Sequence, residues 1–393
     1  MPHTSHFDID SLDGLSPFYD DSHALWRDQL RAFLSREIEP HIEEWESAGE
    51  LPRSLHKTAA EFGLLGFGYP EEYGGNTEGI NGFHKILTSM EMGRMGAGGV
   101  GASLMTHGIG LPPILAIGSD EMKQRIAPPV LAGEKIIALG ITEPSGGSDV
   151  AAIKTRAVRE GDEFVVNGSK MFITSGMRAD YLTAAVRTGD TGSGGLSLLL
   201  IEMDNPGVSR TKLEKMGWHA SDTAAIYFDD LRVPVDNLIG GENQGFAGVM
   251  HNFNGERLGM AAGCVGAAKA CVQEAVSWAQ ERETFGKRLA DHQVIRHKIS
   301  EMVRKIKATQ AMLELCTWRV EQGETPAADL ALLKVQATRT SEFCARESAQ
   351  ILGGASFIRG SKVERIYREV RVNAIGGGSE EIMLDLAARQ MGI

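Results

Sequence analysis

The chain has 393 residues, of which 42% are hydrophobic, so it is long enough for two or three packed units with large apolar interiors. Lys and Arg number 40 against 52 Asp and Glu, and the resulting formal charge of −12 gives a surface that repels a nucleic-acid backbone. No apolar run reaches the roughly 18 residues of a membrane span, and the first residues resemble neither a signal nor a transit peptide. We therefore expect a cytoplasmic protein that neither binds nucleic acid nor inserts into a membrane.

Residues 1–135 are predicted to form an N-terminal α-helical domain. Apolar side chains recur there at three- and four-residue steps, as in the run Trp26, Leu30, Phe33, Leu34, Ile38, Ile42 and Trp45. This spacing places them on one helix face, where a core-facing stripe explains them.

Residues 136–244 are predicted to form a middle β-domain, because the hydrophobic period shortens towards two. Gly161-Asp162 and Asn167-Gly168 are residue pairs typical of tight hairpin turns, which favours an antiparallel arrangement. The predicted strands are Phe164–Val166, Tyr181–Val186, Leu196–Ile201 and Ala224–Phe228.

Residues 245–393 return to the helical period and form the predicted C-terminal α-helical domain. The stretch 290–322 alternates apolar residues with Lys and Arg, a pattern typical of long helices in a bundle, often one shared between subunits. The whole chain is therefore expected to contain helices, then a small β-domain, then helices.

Two apparent motifs are set aside. Gly96, Gly98 and Gly101 spell GxGxxG, but a dinucleotide fingerprint follows a strand, whereas this one follows helix-like sequence. The late helices do not suit a di-iron centre, because none of the histidines has a Glu three residues before it. No metal site is predicted.

The stretch Gly140–Ala152 reads GITEPSGGSDVAA, a strand ending in a Gly- and Ser-rich loop. Its backbone amides and the hydroxyls of Thr142, Ser145 and Ser148 suit the polar edge of a flavin and a pyrophosphate. The same texture also fits a plain surface loop, and composition alone does not choose between the two.

That stretch resembles the first signature of the acyl-CoA dehydrogenase family. Further similar segments, in order, are 63–75, 167–176, 215–234, 281–289, 350–354 and 363–371. The resemblance implies an α+β fold: an N-terminal helical domain, a central antiparallel β-barrel-like domain and a C-terminal four-helix-bundle domain. It also implies FAD as cofactor and a homotetramer.

The resemblance assigns site residues by motif. Those expected to contact FAD are Ile141, Thr142, Gly147, Ser148, Phe172, Thr174, Ser379 and Glu381. A further set is expected to reach the FAD of a neighbouring subunit: Arg282, Thr284, Gln293, Gln350, Gly353 and Gly354. Those expected near the substrate are Ser148, Asn254, Arg257 and Gly377. The family's second signature carries a Gly and an acidic residue where this chain has Ser356 and Gly360, a departure that bears on FAD affinity.

Oxidation of an acyl thioester needs a carboxylate to remove the α-proton. In medium- and short-chain relatives this Glu lies in a loop that corresponds here to residues 375–382, and the matching position is Gly377. Long-chain and isovaleryl relatives instead use a Glu directly before an Arg at the start of a C-terminal helix, which matches Glu256-Arg257. We therefore expect Glu256 to be the base, while Gly377 keeps the backbone N–H that in relatives hydrogen-bonds the thioester carbonyl.

The resemblance implies an acyl-CoA substrate and an electron-transfer flavoprotein as partner, in fatty-acid β-oxidation. Three alternatives are an acyl-CoA oxidase, a flavin-binding relative without catalysis and a DNA-binding member of the fold. The last conflicts with the acidic charge. We expect no extra C-terminal domain of the kind usual in the oxidases, because the sequence reaches Ile393 just after its last predicted helix. The residues leave the length and branching of the acyl chain open.

Overall fold

The computed structural model describes residues 7–12 and 16–393, without side-chain description for residues 11, 12, 246, 247 and 249–254. The helices are α1 (Asp21–Glu37), α2 (Ile42–Ala48), α3 (Arg53–Glu61), α4 (Gly82–Arg94), α5 (Gly98–Leu104), α6 (His107–Gly110), α7 (Pro112–Ile117), α8 (Asp120–Leu131), α9 (Gly245–Glu281), α10 (Gln293–Glu321), α11 (Ala327–Leu352), α12 (Lys362–Asn373) and α13 (Glu380–Gln390). The strands are β1 (Ile137–Gly140), β2 (Arg156–Glu160), β3 (Glu163–Thr174), β4 (Tyr181–Arg187), β5 (Leu196–Glu202), β6 (Val208–Lys212), β7 (Thr223–Pro234), β8 (Leu238–Ile239), β9 (Glu283–Thr284) and β10 (Lys287–Arg288). The predicted order of helices, strands and helices is confirmed.

The chain folds into two compact units. The helical unit contains the residues up to Glu43, Asn81–Gly98 and Arg257–Ile393, and the sheet unit contains Glu44–Ile80 and Gly99–Glu256. The N-terminal helices are divided between them, since α1 and α4 belong to the helical unit whereas α3, α6, α7 and α8 belong to the sheet unit. The domain boundaries after residues 135 and 244 stay a prediction from the sequence.

In the helical unit, α4 and α9 approach closely because both carry glycine where they meet. A Cβ on Gly266 would lie 1.9 Å from the carbonyl oxygen of Met90, and one on Gly93 would lie 2.1 Å from that of Gly263. Small and apolar residues of α9 then pack with α10 and α11 in one core, which includes Ala262, Val265, Ala268, Cys271, Met302, Leu313, Leu333 and Cys344.

Five helices lie wholly or partly in the described C-terminal region, one more than the four-helix bundle implied by the resemblance. The fifth helix is counted because a loop separates α12 from α13. Gly377 and Gly378 have φ of +67° and +109°, values that end a right-handed helix and that glycine adopts without strain. Ser379 then starts α13 as its N-cap.

The sheet unit is built on one sheet of strand order β6-β7-β3-β2-β4-β5-β8, with β1 paired to β4. Most neighbouring pairs are antiparallel, as predicted, but β1 and β2 each run parallel to β4. No hairpin joins either strand to β4, so the tight turns noted in the sequence do not set their direction. The sheet buries a core of Phe164, Val166, Leu182, Val186, Leu199, Ile201, Ile226 and Phe228.

One of the two predicted hairpin turns is confirmed and the other is wrong. Gly161-Asp162 joins β2 to β3, with Gly161 at φ +68°. Asn167-Gly168 instead lies inside β3, at a register shift opposite β7. Gly168 is required there because of its φ of +146° and because a Cβ would lie 2.7 Å from the α-carbon of Thr155, so the pair forms a bulge rather than a turn.

The set-aside GxGxxG motif behaves as expected, since Gly96 follows α4 and no strand precedes it in the described residues. No single helix in the described ranges is long and apolar enough to cross a membrane. The bent pair formed by α5 with residues 107–117 passes that test of length and composition only when taken together.

Candidate active site

The loop after β1 contains four predicted cofactor residues, Ile141, Thr142, Gly147 and Ser148. Two hydrogen bonds hold its beginning: Lys170 Nζ donates to the Ile141 carbonyl at 3.2 Å, and the Met171 N–H donates to the Thr142 carbonyl at 2.8 Å. Residues 144–149 are exposed. The beginning of the loop is therefore fixed, while Gly147 and Ser148 present their polar groups at the surface of the sheet unit.

A buried ion pair, absent from the sequence predictions, anchors this loop. Lys170 Nζ lies 2.8 Å from Glu143 Oε1, and the two side chains are 0% and 5% exposed. Glu143 also accepts from the N–H groups of Lys154 and Thr155, at 2.7 and 2.9 Å. Burial opposes ionisation of Glu143, but the Lys170 ammonium and these donors outweigh it and hold the pKa of Glu143 below its usual value. Burial lowers the pKa of Lys170 to about 8, although Glu143 opposes that change.

Phe172 lies beside this loop on β3, in a strained backbone conformation. Its φ is +62°, unusual for a bulky residue, and it falls at the second register shift of β3, between Lys170 and Ile173. Phe172 is 68% exposed at this bulge. Thr174, two residues on, is half-buried and pairs with Thr223 of β7. A strained residue with an exposed aromatic ring beside a polar loop indicates a ligand surface.

In the helical unit, Arg282, Thr284 and Gln293 lie on one short segment. The β9–β10 hairpin is closed by a bond from the Leu289 N–H to the Arg282 carbonyl at 2.7 Å. Thr284 Oγ1 lies 3.2 Å from His292 Nε2, directly before Gln293 opens α10. The side chains of Arg282 and Gln293 are exposed, so a guanidinium and an amide are available to an anionic ligand.

Gln350, Gly353 and Gly354 lie where α11 ends. Gly353 has φ +62°, and both glycines are exposed, as is Gln350. Ser356 closes the turn by donating from Oγ to the carbonyls of Ala349 and Gly353 at 2.9 and 2.8 Å. The serine that departs from the family pattern thus has a structural role in the same turn.

Glu256 lies inside α9, not at its start, so the predicted position at the beginning of a helix is wrong. The helix begins at Gly245, three turns earlier. A dipole effect is confined to the first turn of a helix and therefore gives no reason for a carboxylate at residue 256. Glu256 is half-buried and Arg257 is 7% exposed. The side chain of Asn254, predicted near the substrate, lies outside the described part of the structure.

The loop around Gly377 shows why a side chain is absent there. A Cβ on Gly377 would lie 2.6 Å from Met260 Sδ, and the φ of +67° disfavours any other residue. The Gly377 N–H donates to no described residue of the chain. Gly377 is half-buried, and a backbone N–H in such surroundings ordinarily donates to protein, water or a ligand.

The two acidic residues after this loop are held in the first turn of α13. Glu380 accepts from Arg339 at 3.0 Å and is 17% exposed on its side chain. Glu381 is exposed, and hydrogen bonds from its own N–H and from Ser379 lower its pKa. Both positions have a helix-capping explanation, which Glu256 does not have.

Comparisons with known proteins identify the family and the fold. Three family models match the chain: "Acyl-CoA dehydrogenase, N-terminal domain" over residues 20–134, the corresponding middle domain over 138–231, and the C-terminal domain over 243–392. An acyl-CoA dehydrogenase of Alternaria alternata, AFT10-1, is 38% identical, covering 95% of this chain and 92% of its own. A solved structure of a probable acyl-CoA dehydrogenase from Mycobacterium abscessus is 46% identical, covers 95% of this chain and 100% of its own, and has a TM-score of 0.93. A glutaryl-CoA dehydrogenase from Mycobacterium smegmatis, solved in complex with FADH2, is 26% identical, covers 97% of each chain and has a TM-score of 0.90.

The fold and the family models identify a flavin-dependent oxidoreductase of the acyl-CoA dehydrogenase type. The chain belongs to the acyl-CoA dehydrogenase family, whose members use FAD. Residues of each unit fit part of that cofactor. In the sheet unit, hydroxyls and amides near Ser148 suit its polar ring edge, and the exposed Phe172 ring suits its flat face. In the helical unit, the exposed Arg282 guanidinium suits a pyrophosphate. FAD, when bound, supplies the acceptor for a hydride.

Proposed function

We propose that this enzyme converts an acyl-CoA thioester to the trans-2-enoyl-CoA, with Glu256 as the base that removes the α-proton. One observation carries the assignment of the base. The loop that holds the catalytic Glu in other branches has Gly377 here, and its neighbours Glu380 and Glu381 are engaged at the start of α13. Glu256 is a half-buried carboxylate in mid-helix, directly before the buried Arg257.

The roles of the residues follow from the chemistry of the substrate. The α-C–H of a thioester is a weak acid, and it becomes more acidic when its carbonyl oxygen accepts hydrogen bonds. The Gly377 N–H is the donor that we assign to that oxygen. Glu256 takes the α-proton on a carboxylate oxygen; bound FAD would supply the acceptor for the β-hydride. Exclusion of water from the closed site strengthens both effects.

The test is an anaerobic titration of the purified yellow enzyme with straight and branched acyl-CoAs, following flavin absorbance. Wild type is expected to bleach with at least one of them, and Glu256→Gln is expected to lose at least roughly 10²-fold in bleaching rate, as for loss of a general base. Glu380→Gln is the matched control, because it removes a carboxylate next to the Gly377 loop that already pairs with Arg339. If Glu256→Gln bleaches like wild type, Glu256 is not the base and Glu380 and Glu381 become the candidates.

We propose an electron-transfer flavoprotein as the electron acceptor. The alternative acceptor is oxygen, as in an acyl-CoA oxidase. Mixing the substrate-reduced enzyme with an electron-transfer flavoprotein or with air-saturated buffer separates the two, since the proposal requires faster reoxidation by the flavoprotein. A wild type that holds FAD yet is bleached by no acyl-CoA would point to a relative without catalysis.

We further propose a homotetramer. Large apolar side chains of the helical unit are exposed next to predicted cofactor residues: Phe285 at the tip of the β9–β10 hairpin is 95% exposed and Phe357 after the α11 turn is 90% exposed. Exposed aromatic rings of this size favour burial against another chain. Light scattering on the eluted protein tests the mass, and a monomer at micromolar concentration would refute the proposal.

A further inference from the structure

A fully buried lysine lies beneath the Gly377 loop. Lys334 of α11 is 0% exposed, and its Nζ donates to the carbonyl of Gly378 at 2.6 Å. Burial lowers the pKa of Lys334 to about 8; the neighbouring Cys264 and Glu380 oppose that change, and Arg257 favours it. Because an ammonium group loses its hydration in the protein interior, its position there calls for a reason.

Capping of the following helix does not provide that reason. The N-terminus of α13 has its acceptors already in Ser379 Oγ, which accepts from the Ile382 N–H, and in Glu380. A cation next to the positive end of a helix dipole is unfavourable, and Arg257 is a second nearby positive charge. Lys334 therefore lies where helix electrostatics oppose it.

The bond to Gly378 determines the shape of the loop instead. Upstream, the Gly376 N–H donates to the Val372 carbonyl at 2.8 Å and ends α12. Between that bond and Ser379, Gly377 and Gly378 both adopt positive φ. Because glycine has no Cβ, two successive glycines leave this part of the backbone with more conformational freedom than any other residue pair. The Lys334 bond holds the carbonyl of the Gly378–Ser379 peptide, two peptide units after the Gly377 N–H. Together with the Gly376 bond it therefore restricts the loop on both sides of the Gly377 N–H, which has no acceptor among the described residues.

We propose that Lys334 is a positioning residue that holds the Gly376–Ser379 loop so that the Gly377 N–H meets the thioester carbonyl. This inference rests on the proposed function, because the carbonyl is that of the acyl-CoA. A side chain at residue 377 would restrict the backbone conformation of this loop, and the Lys334 bond provides that restriction in its place.

The experiment compares the holoenzyme forms of wild type, Lys334→Met and Arg339→Met. Arg339 is the matched control, because its substitution removes a cation from the same helix, next to the first turn of α13, without touching Gly378. Calorimetry measures the affinity for a trans-2-enoyl-CoA and for the corresponding S-alkenyl-CoA thioether, which lacks only the carbonyl oxygen. Stopped-flow bleaching by the best acyl-CoA gives the rate, from pH 6.5 to 9.5.

Lys334→Met is expected to weaken enoyl-CoA binding roughly tenfold while leaving thioether binding unchanged, and to slow bleaching roughly 10–100-fold, as for a misdirected oxyanion donor. Wild-type bleaching is expected to fall as pH rises through about 8, where Lys334 loses its charge. This alkaline decline is expected to be absent in Lys334→Met. The groups that face Lys334 are Cys264, Glu380 and Arg257, and they do not explain such a decline. Burial raises the pKa of Cys264 to about 12, and Glu and Arg side chains ordinarily titrate outside the range from pH 6.5 to 9.5.

The inference is overturned if Lys334→Met matches Arg339→Met in both ligand selectivity and rate, or if the alkaline decline persists in it. Should Lys334→Met fail to fold, the test is made on the wild type alone. The ratio of its affinities for the enoyl-CoA thioester and for the thioether is then expected to fall between pH 7 and 9.5, and a constant ratio refutes the inference. The proposed function is refuted by a different result, the absence of bleaching in wild type. The two ligand affinities can be measured without turnover, so the two failures are distinguishable.

Discussion

Removal of the Lys170 ammonium is expected to be among the most damaging single changes in the sheet unit. In Lys170→Met the Glu143 carboxylate, 5% exposed, loses its counter-ion but keeps the two backbone donors of Lys154 and Thr155. Breaking a buried ion pair by removing one partner costs about 3–5 kcal/mol. Because two donors remain, we expect a loss of about 3 kcal/mol in the free energy of unfolding, at the lower end of that range.

A second substitution should recover part of this loss. Glu143→Gln removes the isolated charge and keeps an oxygen that can accept from one of the two amides. The double variant Lys170→Met/Glu143→Gln should therefore be more stable than Lys170→Met alone, by about 1–2 kcal/mol. The single variant should also lose less at pH 5 than at pH 7, because without the ammonium burial raises the pKa of Glu143 and protonation removes the unpaired charge.

The assay is urea unfolding of each variant followed by tryptophan fluorescence, together with the dissociation constant for FAD. FAD affinity should fall with Lys170→Met, because the bond to the Ile141 carbonyl that fixes the loop is also lost. Lys135→Met is the control: Lys135 is 45% exposed and 3.4 Å from Asp180, a surface pair worth about 0–1 kcal/mol. If Lys170→Met is no more destabilising than Lys135→Met, the buried pair does not hold the loop.

Two further predictions concern the glycine loop and acid stability. Gly377→Ala should lower the free energy of unfolding by about 1–2 kcal/mol, because of the left-handed φ and the contact with Met260 Sδ. Gly376→Ala should cost less, because its Cβ meets only the Val372 carbonyl at 3.5 Å. Equal losses of the two variants in urea unfolding would contradict this prediction. Burial, reinforced at His56 by Arg178, lowers the pKa of both His56 and His107 to about 4, below the ordinary 6.5. The unfolded chain then binds more protons than the folded one between pH 6.5 and 4, so stability should fall on acidification by up to ~1.4 kcal/mol per pH unit for each histidine. His56→Leu should reduce that slope by up to half, and an unchanged slope in pH-dependent urea titrations would refute the assignment.

Features that depend on local pattern could be predicted from the sequence. Hydrophobic period separated helices from strands, because it reflects which face of each element is buried. The Gly161-Asp162 turn and the rejection of GxGxxG were also local questions, answered by the residues immediately before and after. The ordered motifs identified the family and hence the cofactor, and the glycine at residue 377 directed attention to Glu256.

Which charges are buried, and what they hold, became visible only in the folded chain. Lys170 and Glu143 are 27 residues apart, and Lys334 and Gly378 are 44 apart, so no local pattern pairs them. Asn167-Gly168 has the composition of a turn, but the close approach of Thr155 makes it a bulge. Likewise α9 begins well before Glu256, which removed the helix-dipole explanation for that carboxylate. A buried charge or a strand bulge depends on neighbours from distant parts of the chain, and sequence order does not specify which neighbours those are.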